Sequence, residues 1–216
     1  MARSYDLIVF DWDGTLMDSA DKIVRCFQNA LRDAALPDPG VEAIRQIIGL
    51  GLNEAMAALL PAHSRHDHAR VADRYRDHFL HLDTTDSVLF PGVREGLDEI
   101  SRGGYLLAVA TGKSRRGLQR VLTETGLTTL FVATRCADEA RSKPHPQMLL
   151  DILDATGMEA DRALMVGDTV YDLDMARHAG VDALAVSYGV HHRAQLKACD
   201  PLACLDSFDE VRRWLA

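Results

Sequence analysis

Asp11 and Asp13 stand two residues apart at the end of an apolar run, Tyr5 and Leu7-Ile8-Val9-Phe10, and Gly14 follows them. Side chains at i and i+2 of an extended chain share one side, and glycine lets the backbone turn away directly afterwards. Alone, such a pair allows a metal site, an acid/base pair or an Asp/Gly-rich turn. Three later segments bear on the choice. Thr111-Gly112-Lys113-Ser114 places a hydroxyl and free backbone N–H groups at a helix start, which suits an anion. Ser142-Lys143-Pro144-His145-Pro146 holds a cation in a proline-stiffened stretch, and Gly167-Asp168-Thr169-Val170-Tyr171-Asp172 adds two more carboxylates about one helical turn apart.

Each of these segments follows an apolar run of strand type. Acids that converge drive one another toward protonation unless a cation sits among them. Oxygen ligands without Cys or His favour a hard divalent ion, and Mg2+ binds through one or two carboxylates together with substrate phosphate. Four acids, a lysine, a threonine and a helix N-terminus are a phosphoryl-transfer inventory.

The elements that must position these residues follow from periodicity. Helix spacing appears after Ser19 in Ile23, Phe27, Ala30 and Leu31, with Asp18 or Ser19 as N-cap, and ends at Leu36-Pro37-Asp38-Pro39-Gly40. Shorter helices are predicted over 41–48 and 52–60, separated by Gly49-Leu50-Gly51, and a longer one over 64–82 with Val71, Tyr75, Phe79 and Leu82 on one face. No strand pattern occurs between Asp18 and Thr85. From Phe90-Pro91-Gly92 onward short units alternate: strands over 105–110, 130–134, 163–166 and 183–186, helices over 114–124, 146–155 and 171–179, and a closing amphipathic helix carrying Val211, Trp214 and Leu215. The expected fold is α/β, a doubly wound, mostly parallel Rossmann-like sheet with an inserted all-helical cap. Residues 1–16 and 87–216 form the expected core and 17–86 the cap, with hinges near Met17–Ser19 and Leu82–Phe90.

Composition narrows the function classes. The 216 residues carry 32 acids against 24 Lys and Arg, a net charge of −8, which opposes nucleic-acid binding because that requires clustered cations. Cys26, Cys136, Cys199 and Cys204 form no Cys-x-x-Cys pair, so they read as reduced thiols rather than a zinc or redox motif. No apolar stretch approaches the roughly 20 residues of a membrane helix. The N-terminal apolar run, broken by two acids, is too short for a signal peptide. A cytoplasmic location is expected.

Taken in order, Asp11-x-Asp13-Gly14-Thr15, Thr111, Lys143-Pro144 and Gly167-Asp168-x-x-x-Asp172 resemble the motifs of the haloacid-dehalogenase-like hydrolase superfamily, in its phosphoglycolate-phosphatase-like branch with a helical cap after the first strand. The resemblance implies a Mg2+-dependent phosphatase acting on a small phosphomonoester, phosphoglycolate-like or a sugar phosphate. It implies Asp11 as nucleophile, forming an aspartyl phosphate, and Asp13 as general acid and base. Mg2+ would be held by Asp11, the Asp13 main-chain carbonyl and Asp168. Thr111 and the Gly112 amide would bind phosphate, Lys143 would stabilise charge on phosphate and nucleophile, and Asp172 would orient Lys143 or a metal-bound water. The alternatives are a phosphomutase of the β-phosphoglucomutase type and, from another class, a non-catalytic phosphate-sensing module. Gly112 departs from an asparagine common in the family, and Gly167, where some mutases carry glutamate, leans toward phosphatases.

Around these motifs, Arg45, Gly49-Leu50-Gly51 and Asn53 are the candidate cap contacts to substrate. Lys113 reaches toward substrate from the helix start, while Arg115 and Arg116 are expected to face solvent. Trp12 is expected in the core, Asp174 on the far side of its helix, and His63, His66, His68, His78 and His81 on a solvated face. His191-His192 is expected in an exposed loop.

Overall fold

The computed structural model describes residues 5–85 and 87–216. Residues 1–4, the start of the expected core segment, and Asp86, the expected last residue of the insertion, lie outside the described residues. In chain order the elements are β1 (Leu7–Phe10), β2 (Met17–Asp18), α1 (Ala20–Asp33), α2 (Val41–Arg45), α3 (Leu52–Leu59) and α4 (Arg65–Asp77), the last continuing as a wider helical turn over His78–Leu82. Next come β3 (Val88–Leu89), α5 (Val93–Arg102), β4 (Leu106–Thr111), α6 (Arg115–Thr125), β5 (Ala133–Cys136) and α7 (Gln147–Thr156). The chain ends with β6 (Ala163–Gly167), α8 (Val170–Ala179), β7 (Asp182–Val186), α9 (Arg193–Ala198), β8 (Ala203–Leu205) and α10 (Phe208–Leu215).

Six strands form one sheet in the order β5-β4-β1-β6-β7-β8, every neighbouring pair parallel. The chain steps from β1 out to β4 and β5, then crosses back to β6 on the other side of β1. Ligands of open α/β sheets bind at such a reversal, outside the strands' carboxyl ends. The central strands are apolar throughout because both faces are covered. Ile8, Phe10 and Trp12 face α5, α6 and α10, packing with Leu97, Leu118 and Phe208. Leu7 and Val9 face α7 and α8, meeting Met148, Ile152 and Met175. The odd residues of β1 thus pack against one layer, and continuing that alternation brings Asp11 and Asp13 to the strand's open end.

Helices α1 to α4 have a core of their own, built on Ile23, Phe27, Leu31, Ile44, Met56 and Val71. Both connections to the sheet run through a two-stranded antiparallel ribbon, Met17 opposite Leu89 and Asp18 opposite Val88, at the two places where hinges are expected.

Several expectations need correction. The strand expected over 130–134 lies at Ala133–Cys136, after a turn that buries part of Leu130 and Phe131 against the core. Short β2 and β3 pair with each other, a long-range match with no local pattern. Helices α5 and α9 and edge strand β8 were not anticipated from periodicity. His191 is buried, not exposed: its Nδ1 accepts from the Val170 N–H at 3.1 Å, and its ring meets Tyr171 edge-on at 5.4 Å. The loop after β7 folds back over the start of α8, and burial lowers the imidazole pKa, favouring the neutral ring. Trp12 is fully buried, Asp174 pairs outward with Arg177, and the four cysteines are free thiols.

The insertion sits down on the strand ends. Tyr171 donates to the Gln46 carbonyl at 2.8 Å, the Gly51 N–H donates to Ser142 Oγ at 2.7 Å, and Arg120 donates to the Leu80 carbonyl at 2.7 Å. At Gly112 the approach is closest: a Cβ there would lie 2.5 Å from the Leu50 carbonyl oxygen and 2.7 Å from that of Gly49. Since both obstacles are backbone, Gly112→Asn must push the 49–50 loop away. Overpacking of this kind costs about 1–3 kcal/mol, so thermal denaturation of Gly112→Asn is expected several degrees below the parent. Gly117→Ala, whose added Cβ meets two side-chain atoms, Ser114 Oγ at 3.3 Å and Lys113 Cβ at 3.9 Å, is the control, and equal melting temperatures for the two variants would show that the loop yields freely.

Candidate active site

The first motif ends β1 and turns at Gly14, whose φ of 84° is in the left-handed region. A Cβ at this glycine would also collide with the Asp168 carboxylate. The turn therefore brings Thr15 against the β6 end, where its hydroxyl donates to Asp168 Oδ1 at 2.7 Å. The other Asp168 oxygen accepts from the Val190 N–H at 2.8 Å, and Tyr188 steadies the same turn by donating to the Thr15 carbonyl at 2.8 Å.

Lys143 comes in from the loop before α7. Its ammonium lies 2.9 Å from Asp11 Oδ1 and 2.6 Å from Asp172 Oδ1, with none of its side chain exposed. Asp172 is set by the helix that carries it. Thr169 caps α8 and forms a capping box, its N–H and hydroxyl donating to Asp172 Oδ2 at 3.0 and 2.7 Å. Both Asp172 oxygens are thereby engaged. Asp11 Oδ1 also accepts its neighbour's Trp12 N–H at 2.6 Å, whereas Asp11 Oδ2 is buried with no hydrogen-bond partner among the described residues.

The electrostatics follow from burial. Desolvation pushes the Asp11 pKa up to about 7, with Lys143 pulling it down and the Asp172 charge raising it. Asp168 is raised well above the carboxylate range by burial first, then by Asp11 and Asp172. Burial lowers the Lys143 pKa, but Asp11 and Asp172 outweigh it and hold the ammonium above its ordinary value. Asp11, Asp168 and Asp172 offer oxygens within 4.8 Å of one another. Three buried carboxylates facing one ammonium leave negative charge uncompensated, and the orphaned Asp11 Oδ2 adds an open acceptor. This donor set fits a hard divalent cation.

Asp13 is 8 % exposed and held from two sides. Ser19 donates to its Oδ1 at 2.5 Å, and Lys113 lies 2.8 Å from both oxygens. Ser19 is the N-cap residue of α1, yet its hydroxyl makes no cap bond. Neither partner of Asp13 is legible from spacing: Ser19 reads as a cap and Lys113 as a group reaching for substrate. Thr111 is buried at the β4 end, accepting from the Lys113 N–H at 3.2 Å.

A cavity of about 230 Å3 opens over these residues, between the strand ends and the insertion. Asp11, Asp13, Thr111, Gly112 and Lys113 border it, and so do Gly49, Leu50, Gly51 and Asn53 from the insertion. Arg45 does not: it pairs with Asp21 at 2.6 Å on the outer surface, because the short α2 turns it away from the strand ends. Arg115 is tied to Glu139 and Thr134 and Arg116 is exposed, so neither borders the cavity. Of the histidines in the insertion, His78 pairs with Asp33 and His68 with the Leu60 carbonyl.

Comparison with known proteins gives a consistent result. The family model described as haloacid dehalogenase-like hydrolase matches residues 8–186. "Probable phosphatase IndB" of Dickeya dadantii is 40% identical over 209 residues, covering 95% of this chain and 91% of that one. A phosphoglycolate phosphatase of Mesorhizobium japonicum is 32% identical over 218 residues, 99% of this chain and 96% of its own length. A crystal structure described as a predicted phosphoglycolate phosphatase from Haemophilus somnus superposes with a TM-score of 0.90 over 100% of both chains, at 24% identity, and shows the same fold. Motif order, strand-end geometry and these matches together place the chain in the haloacid dehalogenase-like hydrolase family, in its phosphoglycolate-phosphatase-like branch, as a phosphoric monoester hydrolase.

Proposed function

We propose that the chain hydrolyses a small phosphomonoester with Mg2+ as cofactor, through an aspartyl phosphate on Asp11. The observation that supports this most directly is the buried Asp11 carboxylate itself. One oxygen is fixed by Lys143 and the Trp12 amide; the other is unpartnered at the floor of the cavity. A carboxylate oxygen of Asp11 attacks phosphorus, and the P–O bond to the leaving group breaks. Asp13 gives the leaving oxygen its proton and then, as carboxylate, takes one from the water that cleaves the acyl phosphate. Lys113 and Ser19 hold the Asp13 side chain in place. Thr111 and the Gly112 amide hold phosphate oxygens, and Lys143 balances charge on both the phosphoryl group and Asp11.

Asp11, Asp168 and the Asp13 main-chain carbonyl would hold Mg2+, which when bound neutralises phosphoryl charge and shields the anionic nucleophile from its anionic target. Asp172 acts through Lys143, since both its oxygens are engaged. The insertion, residues 17–86, serves as the cap that excludes bulk water from the acyl phosphate. A small phosphorylated metabolite in the cytoplasm is the expected partner. Among the described residues no helix is long and apolar enough to cross a membrane.

Three outcomes test this reading. Asp11→Asn is expected to lose at least ~10³-fold in kcat while keeping its circular dichroism; activity within tenfold of the parent would remove Asp11 as nucleophile. Asp13→Asn is expected to lose ~10²- to 10⁴-fold in kcat, and an unchanged rate would assign proton transfer to another group. Saturating Mg2+ is expected to raise the melting temperature by about 5–10 °C, the effect of a ligand at roughly 100 times its Kd on a domain of this size. The same titration on Asp168→Asn should give no shift, and a full shift there would place the ion elsewhere.

A further inference from the structure

The cavity over Asp11 has two unlike halves. Its core side carries the phosphate chemistry: Asp11, Asp13, Thr111, Gly112 and Lys113. Its insertion side is lined by Ile23, Phe27, Ile47, Tyr75, Phe79 and Leu80. Three of these rings form a continuous run, Phe27 to Tyr75 at 4.2 Å between centroids and Tyr75 to Phe79 at 5.7 Å. Phe27 belongs to the core of the insertion, but Tyr75 and Phe79 are only half-buried and keep surface for a ligand. The Tyr75 hydroxyl has no hydrogen-bond partner among the described residues.

The charges around the cavity are already committed. Lys113 is held by both oxygens of Asp13 at 2.8 Å and lies 4.7 Å from the Phe79 ring centroid. Arg76 pairs with Asp73 at 2.7 Å, and Lys143 is buried between Asp11 and Asp172. Glu54, by contrast, borders the cavity with no ion pair among the described residues. A leaving group bearing a carboxylate would be desolvated against apolar side chains with Glu54 nearby, and Lys22, 5.3 Å from the Phe79 centroid, already donates to the Thr85 carbonyl at 2.8 Å. A polyol would lose water from several hydroxyls against the ring run, its replacement acceptors being side chains such as Asn53, Glu54, Ser114 and Asp138 at the cavity border. A flat, uncharged group loses little and gains ring contact. Size agrees: an apolar cavity of about 150 Å3 accommodates benzene, so about 230 Å3 has room for one ring beside a phosphoryl group.

We propose that the substrate is a phosphomonoester of a small uncharged alcohol carrying one apolar or aromatic ring, the ring seated on Tyr75 and Phe79 and the phosphoryl group on Asp11. This rests on the phosphatase reading above and narrows it. For such a substrate the P–O bond to the ring-bearing alcohol breaks, the Asp13 proton goes to the departing oxygen, and water supplies the final oxygen of inorganic phosphate.

The test is kcat/KM of the full chain with Mg2+ for benzyl phosphate, 2-phosphoglycolate and glucose 6-phosphate, followed by phosphate release. Benzyl alcohol is an unactivated primary alcohol, so a preference for its ester reports binding rather than leaving-group ease. The expected result is at least ~10-fold higher kcat/KM for benzyl phosphate than for either other ester, the scale on which an apolar pocket discriminates. Phe79→Ala should bring that ratio near one. Phe79→Leu, which keeps apolar bulk and loses the ring face, should lie between. The ratio does not depend on how much protein is folded. A preference for 2-phosphoglycolate or glucose 6-phosphate would overturn the proposal and leave the phosphatase reading intact. A ratio unchanged in both Phe79 variants would overturn it as well, as would release from none of the three esters, and release from no ester of a wider set of phosphomonoesters would take the phosphatase reading down too.

Discussion

The Lys143 ammonium, closed off from solvent between the Asp11 and Asp172 carboxylates, is the interaction on which the rest of the site depends. An ion pair on the surface contributes about 0–1 kcal/mol, but removing one partner of a buried pair costs about 3–5 kcal/mol. Three distant stretches of chain are therefore bound to a single geometry: the end of β1, the loop before α7 and the first turn of α8. The Thr169 capping box makes Asp172 part of a helix terminus rather than a mobile side chain. Asp168, the third carboxylate, has hydrogen bonds from Thr15 and Val190 but, among the described residues, no cation of its own. The charge imbalance that results is a cost to the fold and, for the same reason, the affinity that a divalent cation would exploit.

This arrangement requires the sheet order. Only with β1 between β4 and β6 do Asp11, Thr111 and Asp168 leave neighbouring strand ends, and only with parallel strands do all of them leave at the same edge. The apolar residues of β1 serve the two helix layers alternately, so their burial also sets which way the terminal acids point. A register slip of one residue would exchange Trp12 with Asp11 or Asp13. That exchange would put a carboxylate among Leu97 and Phe208 and an indole over the cavity. Packing energy and catalytic geometry are thus specified by the same alternation.

How far the sequence discloses all this depends on the range of each contact. The strand ends are legible because period-two apolar runs stop at conspicuous polar residues, and the placement of Asp11, Thr111, Lys143, Asp168 and Asp172 requires only that parallel strands share an edge. The insertion is legible as an uninterrupted helical pattern. What escapes is decided by tertiary contact. His191 looks like a polar loop residue until the loop after β7 folds over α8. Edge strand β8, with three half-buried residues, has too little pattern to stand out, and the β2–β3 ribbon joins residues some seventy positions apart. Arg45 lies in a suitable stretch, but the short α2 turns it toward Asp21. Lys113 is visible as a cation near the site, whereas its partner, Asp13, is a hundred residues away.

Asp13 is where the chemistry of the sheet meets the selectivity of the insertion. Ser19, which begins the first helix of the insertion, gives its hydroxyl to this acid rather than to the helix it precedes. Lys113, which comes from the core, reaches the same carboxylate with its ammonium lying against Phe79, from the last helical turn of the insertion. The proposed proton-transfer residue is consequently linked to the insertion at both ends of that segment, directly through Ser19 and indirectly through the Phe79 ring. Asp11 has no such link: its partners, Trp12, Lys143 and the carboxylates around it, all belong to the core. Displacing the helices would leave Asp11, the proposed nucleophile, in place while changing the surroundings of Asp13. A helical insertion of this kind can therefore be reshaped for different leaving groups without disturbing attack on phosphorus, but each reshaping must keep Asp13 oriented, and Ser19 and Phe79 are the two contacts through which it does so.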